Sequence, residues 1–482
     1  MRTRQLLVTN MARRYIPLSD AVIRSLCIWA SCVCMGLPAL FSAEHYIRAG
    51  ASTGLNSGAS WDNAWTHFAH VTWTRGDTYY LAGGTYAEDV TISVAESGAA
   101  RVTLKKANAV DNATNPGWSS TYATAQAIIQ GNVRIDGSYI TIDGVTGTAR
   151  SGHGMKIYQT VVGGGNAIVN YADAKSFLSF SHVELQGPGM GYAVGASGFK
   201  QNNLTITGKG LFMSHLYFHD LSQNGFVFVN VAGTSFSDYG LIFDHIVLDD
   251  CGYNIAGQHG QGIQVGSGAG PSTNSYWTIR NSIFHNVVGT GDIACLGYSQ
   301  NDHMDIYNNI FYNQEQSFSD SGTWTSHTKS DASSPGVIYI SDTSATAAYV
   351  RIYNNTFYNI ARNTIYFGGS KLTNNEVVNN LFVHGYFNQR HVGVIGHHND
   401  YSGCEPMVSS GIYGVPYGEV GQQGEPSSPC LNAAGGDFRL RSDAHAIGNG
   451  ADLSAVFTTD FFGNTRTTWD IGACGYSTAP AP

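Results

Sequence analysis

The chain has 482 residues, of which 12% are charged and 58 are glycine, and a formal net charge of −9. With no basic cluster in its body it lacks the Lys and Arg that neutralise phosphates, which argues against nucleic acid as a partner. Abundant Gly, Asn, Ser, Thr and Tyr, with almost no long amphipathic period, argue against a helical protein; a repeat array also accommodates this length as one body.

The N-terminus carries Arg2, Arg4, Arg13, Arg14 and Arg24, then an apolar run from Ser25 to Phe41 and the small pair Ser42 and Ala43. This reads as a secretory signal peptide over 1–43, cut after Ala43, although Phe41 is bulky for its place. Trp29 stands where a lipoprotein signal around Cys32 would need a small aliphatic residue. No later stretch reaches the roughly 18 apolar residues of a membrane span. The mature chain, 44–482, is therefore expected to be secreted or periplasmic, monomeric and free of the membrane, and STAPAP after Tyr476 offers no evident anchor.

Export would remove Cys27, Cys32 and Cys34, leaving Cys251, Cys295, Cys404, Cys430 and Cys474 without a CxxC pair, so a zinc or redox motif is not expected. Cys404 and Cys430 flank a Gly- and Pro-rich loop and are candidates for a bridge in an oxidising compartment. Cys295 falls on an apolar strand position and reads as core.

An eight-residue motif recurs as IRNSIFHN from Ile279, IYNNIFYN from Ile306, IYNNTFYN from Ile352 and VVNNLFVH from Val377, with weaker copies from Phe243, Met213 and Phe180. Such spacing predicts stacked coils. The sixth position reads Leu185, Phe218, Leu248, Phe284, Phe311, Phe357 and Phe382, a core column at about 4.8 Å per rung. The third reads His182, His215, His245, Asn281, Asn308, Asn354 and Asn379, and Asn enters the fourth in later copies. Because Asn replaces His in one register, this stripe is read as structural hydrogen bonding and not as metal ligation.

A second strand follows each motif: GFVFVN from Gly225, GIQVGSG from Gly262, DIACLG from Asp292, VIYISDT from Val337, TIYFGG from Thr364 and VGVIGHH from Val392. Period-two alternation places Phe226, Ile263, Ile293, Ile338 and Ile365 inside and Val227, Gln264, Ala294, Tyr339 and Tyr366 outside. Tyr339 and Tyr366 then form an aromatic platform for a sugar face. The segment from Gln314 to Pro335 interrupts the period as a long loop.

The densest reactive side chains lie in LDDCGYNIAGQHGQGIQVGSG, which holds Asp249, Asp250, Tyr253, His259, Gln261 and Gln264, with Asp292 one coil on. Further along come Arg362, Arg390, His391, His397, His398 and Asp400. Asp250 aligns with Asp220, Asn286, Asn313 and Asn359, so it reads equally well as a turn cap.

The opening YIRAGASTGLNSGASWDNAW from Tyr46 with GDTYYLAGGTY from Gly76, and the ending DFRLRSDAHAIGNGADL from Asp437 with DIGACGY from Asp470, resemble the pectate-lyase-like superfamily over the whole mature chain. The resemblance implies an all-β, right-handed parallel β-helix, a single-stranded solenoid, with an N-terminal cap and a C-terminal closing segment. It also implies a polysaccharide partner and either of two chemistries. Elimination from a uronate needs a base at the proton beside the carboxylate and a cation to neutralise that carboxylate. His259 or Tyr253 suits the base, and Arg390, or Ca²⁺ on Asp249, Asp250 and Asp292, suits the cation. Gln261, Gln264, Tyr339, Tyr366 and His397 suit substrate binding. Asp249-Asp250 and His259-Gly260 are also similar to polygalacturonases, but both elements fall in one coil and the Arg-x-Lys pair is missing after Gly291; hydrolysis by Asp250 and Asp292 is the alternative. A non-catalytic glycan-binding solenoid is the third reading.

Overall fold

A computed structural model describes residues 42–160, 167–189, 195–203, 206–252, 260–266, 270–287, 289, 291–296, 299–314, 316–318, 324–326, 336–340, 346–360, 364–368, 371–387, 394–406, 408–409, 412–413, 424–425 and 427–477. The unit Glu44–Pro482 is a right-handed parallel β-helix. Among the described residues, no helix is long and apolar enough to cross a membrane.

Most rungs give one short strand to a nine-stranded parallel sheet, and to a second sheet either one long bent strand, as Leu241–Cys251, or two, as Ser272–Arg280 and Ile283–Val287. In the first sheet Val90, Val133, Val169, Phe199, Phe226, Ile263, Ile293, Ile338 and Ile365 stack in register. All nine are buried, as period-two alternation requires of an inward row. Glycine opens several of these strands because the rungs close up there: a Cβ on Gly225 would lie 2.6 Å from the Gly262 carbonyl oxygen, and one on Gly262 would lie 2.6 Å from that of Asp292.

The second sheet carries the motif. Leu185, Phe218, Leu248, Phe284, Phe311, Phe357 and Phe382 align rung upon rung. Phe284, Phe311, Phe357, Phe382 and Tyr401 stack at centroid distances of 4.7, 4.9, 5.0 and 4.8 Å. Each such ring contributes about 1.5–3 kcal/mol by leaving water.

The sharp bend of the motif strand explains its polar columns. The third position is left-handed in every rung, from φ 56° at His182 through 51° at His215 and 57° at His245 to 58° at Asn379. Asn and His tolerate that conformation better than β-branched residues. The three histidine rings stack at 4.9 and 4.8 Å, so the stripe is structural. Beside it runs a buried ladder: the Nδ2 groups of Asn309, Asn355 and Asn380 donate to the next residue's Oδ1 at 3.0, 3.0 and 3.1 Å. The same oxygens accept the backbone N–H of the rung before, which satisfies bend groups that no water reaches.

Two expectations are corrected here. Val394–His397 pairs with Asn375–Val378 in the second sheet and does not extend the first, which ends at Ile365–Phe367. The reason is a further motif copy: His398 takes the left-handed position with φ 52°, Asn399 ends the ladder, and Tyr401 stacks on Phe382. Cys404 and Cys430 are not bridged. Cys404 packs against the main core, whereas Cys430 and Cys474 belong to a separate cluster in which Phe438, Leu440 and Ile471 cover Ile310, Leu381 and Val383. That cluster seats the closing segment on the outer face of the late rungs. Cys295 is buried in the first sheet, as read. Within the segment after Gln314, Gln316–Phe318 pairs antiparallel with Trp324–Ser326.

Candidate functional site

The side of the nine-stranded sheet away from the core carries one row in register. Thr91, Arg134, Asn170, Lys200, Val227, Gln264, Ala294, Tyr339 and Tyr366 occupy equivalent positions on successive rungs. At about 4.8 Å per rung the row runs about 38 Å. Gln264, Tyr339 and Tyr366 are partly exposed, as the alternation predicted, whereas Val227 and Ala294, expected outside by the same alternation, are buried; the two tyrosine rings lie 5.4 Å apart at 20°. Burial raises the Tyr366 hydroxyl above its ordinary pKa, and each ring joins an apolar face to a polar edge. Gln264 is oriented at both ends of its amide: Oε1 accepts from Asn224 Nδ2 at 3.0 Å and Nε2 donates to the Gly266 carbonyl at 3.0 Å.

Sequence reasoning missed the cations of this row. Arg134 and Lys200 stand two rungs apart, about 10 Å. Arg134 reaches Asp136 at 3.5 Å, and among the described residues no partner pairs with the half-exposed Lys200. Their strands, Val133–Asp136 and Ser197–Asn202, precede the clear motif copies, but NVRID and GFKQN alternate in the same way as the later runs. That alternation was the available signal.

Several expected site residues are placed elsewhere. Gln261 and Asp292 are completely buried, and the Gln261 N–H donates to Asn224 Oδ1 at 2.7 Å; neither presents its side chain to a polymer on the surface. Asp292 therefore does not serve as an exposed catalytic carboxylate. His397 lies on the second sheet, opposite Val378, with its Nδ1 2.8 Å from that of His398, and so is not beside Tyr366. Tyr253, His259 and Arg390 lie outside the described residues, as do Arg362 and His391.

The Asp249–Asp250 pair does not fit a calcium ion. Arg150 grips both Asp249 oxygens, Nε to Oδ2 at 2.5 Å and Nη2 to Oδ1 at 2.7 Å, and His285 Nδ1 approaches Oδ1 at 3.1 Å. Burial alone would raise the Asp249 carboxyl, but the His285 and Arg150 hydrogen bonds outweigh it and hold the group below the usual carboxylate range. Asp250 sits at the second bend with φ 51° and accepts from Asn286 Nδ2 of the next rung at 2.6 Å, a rung-to-rung bond at the bend. Among the described residues no group of three or more His, Cys, Asp or Glu side chains converges on a metal position.

Asp249 instead belongs to a polar layer on the outer face of the motif strands. Arg150 also donates to the Tyr312 hydroxyl at 3.0 Å. Nearby, Glu184 accepts from Lys156 at 2.6 Å and Gln126 at 3.0 Å, with His219 at 3.3 Å. Burial raises the Glu184 carboxyl, and the His219, Lys156 and Gln126 hydrogen bonds more than reverse this, bringing it down to about 2. Arg150 arrives from an insertion that interrupts the bend after Asp143, 99 residues before its partner, a distance no local pattern bridges.

No protein-family model and no curated protein matches the sequence. The solved structures that are similar in part include two lyases. A mannuronic acid-specific polysaccharide family 6 lyase from human gut microbiota shares 14% identity over 70% of this chain and 67% of its own, with a TM-score of 0.34. A rhamnogalacturonan lyase shares 11% identity over 77% and 90%, with a TM-score of 0.33. Likeness at this level decides neither fold nor function, and the assignment rests on the strand register: the protein is a parallel β-helix with a nine-rung outer row as its candidate site.

Proposed function

We propose that the protein is an exported polysaccharide lyase that holds a uronate-containing chain along the row from Arg134 to Tyr366 and cleaves it by β-elimination. The observation that supports this reading is the register of Arg134, Lys200, Gln264, Tyr339 and Tyr366 in one row of the nine-stranded sheet. Two cations about 10 Å apart suit carboxylates along an acidic polymer, and the tyrosine pair suits sugar rings. In the reaction a base takes the proton beside the carboxylate, the electron pair forms the new carbon–carbon double bond, and the glycosidic carbon–oxygen bond breaks as its oxygen takes up a proton. His259 or Tyr253 fills the role of base, and Arg390, Lys200 or Arg134 that of carboxylate neutraliser. Hydrolysis by paired carboxylates is the weaker reading because Asp292 is buried and Asp250 is tied to Asn286 of the next rung.

The test incubates the mature chain with alginate, pectate and glycosaminoglycans while following the ultraviolet absorbance of unsaturated uronates. Absorbance that grows with time and drops at least about tenfold in Lys200→Ala or His259→Ala supports elimination at this row. Reducing ends without absorbance indicate hydrolysis. Retardation in a polysaccharide gel without either product indicates a binding protein and refutes the catalytic reading.

A further inference from the structure

At the N-terminal end of the outer row stands a second feature, which the sequence did not suggest. Val90–Ser93 is the edge strand of the nine-stranded sheet, and the segment Phe68–Trp73 lies along it. Between them is a cavity of about 510 Å³ lined by Phe68, Val71, Trp73, Asp89, Thr91 and Ser93 among others, a size that suits a small ligand. Its walls are held in place. The Trp73 indole N–H donates to the Thr91 carbonyl at 2.9 Å, and its ring packs on Tyr79 at 4.5 Å. The Tyr79 hydroxyl in turn accepts the Thr74 N–H and donates to the Thr72 carbonyl, each at 2.7 Å. Asp89 Oδ1 accepts the Asn132 N–H at 2.7 Å, which fixes the carboxylate at the rim.

The lining combines an immobilised indole with the hydroxyls of Thr91 and Ser93 and one carboxylate. An indole accepts the C–H face of a pyranose ring, and hydroxyls and a carboxylate take up its hydroxyl groups. Asp89 supplies negative charge with no cation among the cavity's lining residues, which opposes a second carboxylate. Thr91 is also the first member of the outer row, one rung before Arg134, and Phe68–Trp73 stands beyond it as a wall.

We propose that this cavity is a terminal subsite that takes one uncharged pyranose residue, so that a glycan on the outer row ends here and does not run past the first rung. The inference rests on the reading of that row as a glycan-binding face. It makes the wall a determinant of where the polymer is cut: attack is counted from a chain end.

The experiment titrates the mature protein with methyl mannoside, methyl galactoside, methyl rhamnoside and galacturonate, followed by saturation-transfer NMR. At least one neutral glycoside should bind, galacturonate should bind at least about tenfold more weakly, and Trp73→Ala should reduce neutral binding at least about tenfold. Ser93→Phe, which fills the cavity from the strand side and leaves the wall untouched, should have the same effect, and Asp89→Asn should narrow the preference against galacturonate. Failure of all neutral glycosides to bind, stronger binding of galacturonate, or binding indifferent to both Trp73→Ala and Ser93→Phe overturns the proposal. Neutral glycoside binding without uronate cleavage would retain the subsite and refute the lyase. Cleavage without cavity binding would do the reverse.

Discussion

Replacing Asn355 by alanine tests the account of the fold most directly. Asn355 is fully buried; its Nδ2 donates to the Ile306 carbonyl at 2.9 Å and to Asn380 Oδ1 at 3.0 Å, and its Oδ1 accepts the Asn309 N–H at 2.9 Å and Asn309 Nδ2 at 3.0 Å. Truncation removes all four bonds and leaves the Asn309 donors and the Ile306 carbonyl without these partners away from water. At about 0.5–1.5 kcal/mol per bond, with more for each group left unpaired, the expected loss is about 3–6 kcal/mol. With a urea slope of about 3–6 kcal/mol/M for a chain this long, the midpoint should fall by about 0.5–2 M. Far-ultraviolet circular dichroism against urea reads the midpoint, with Tyr366→Ala on the outer row as the reference, expected within about 1 kcal/mol of the wild type. A shift below about 0.2 M for Asn355→Ala would mean that the ladder does not hold the bend and that the phenylalanine column alone supports the stack.

The other expectations concern charge and surface. Tyr339→Ala should weaken polysaccharide binding about 2- to 10-fold, the equivalent of about 0.5–1.5 kcal/mol for one aromatic contact, read by affinity electrophoresis with an unchanged melting temperature. Lys200→Ala should weaken binding to pectate or alginate and flatten its salt dependence, read as retardation across a salt series. Arg150→Ala should lower stability by about 1–3 kcal/mol, since Asp249 stays buried beside His285 but loses its guanidinium, while the exposed side of Arg150 limits the effect. The folded Glu184 carboxyl lies at about 2, below its ordinary value near 4.3. Its contribution is therefore fully present above the ordinary value and disappears as pH falls towards 2. Glu184→Gln should flatten that part of the acid-denaturation curve. His219 moves the other way: burial lowers its pKa, but Asp220 and Glu184 raise it further, so its contribution is present at low pH and declines as pH rises through the elevated value.

Periodicity in the sequence determined the stack, the inward aromatic column, the structural His and Asn stripe, and the outward placement of Gln264, Tyr339 and Tyr366, because each follows from side chains repeating at fixed positions along a strand. It failed where a copy was degenerate. GHHNDYSG, with His398, Asn399 and Tyr401 in the motif's third, fourth and sixth places, resembles the runs of the other sheet, and the strands bearing Arg134 and Lys200 lack a clear motif copy before them. What only the tertiary structure decided is which polar groups are still available to a ligand. By sequence Asp249 is a candidate metal ligand, but Arg150, 99 residues away, holds both its oxygens, and Gln261 and Asp292, candidates for the surface, are fully buried. A repeat fixes the direction a side chain takes from its own strand, but its neighbours come from other coils and from insertions, and those contacts set its charge, partners and access to solvent.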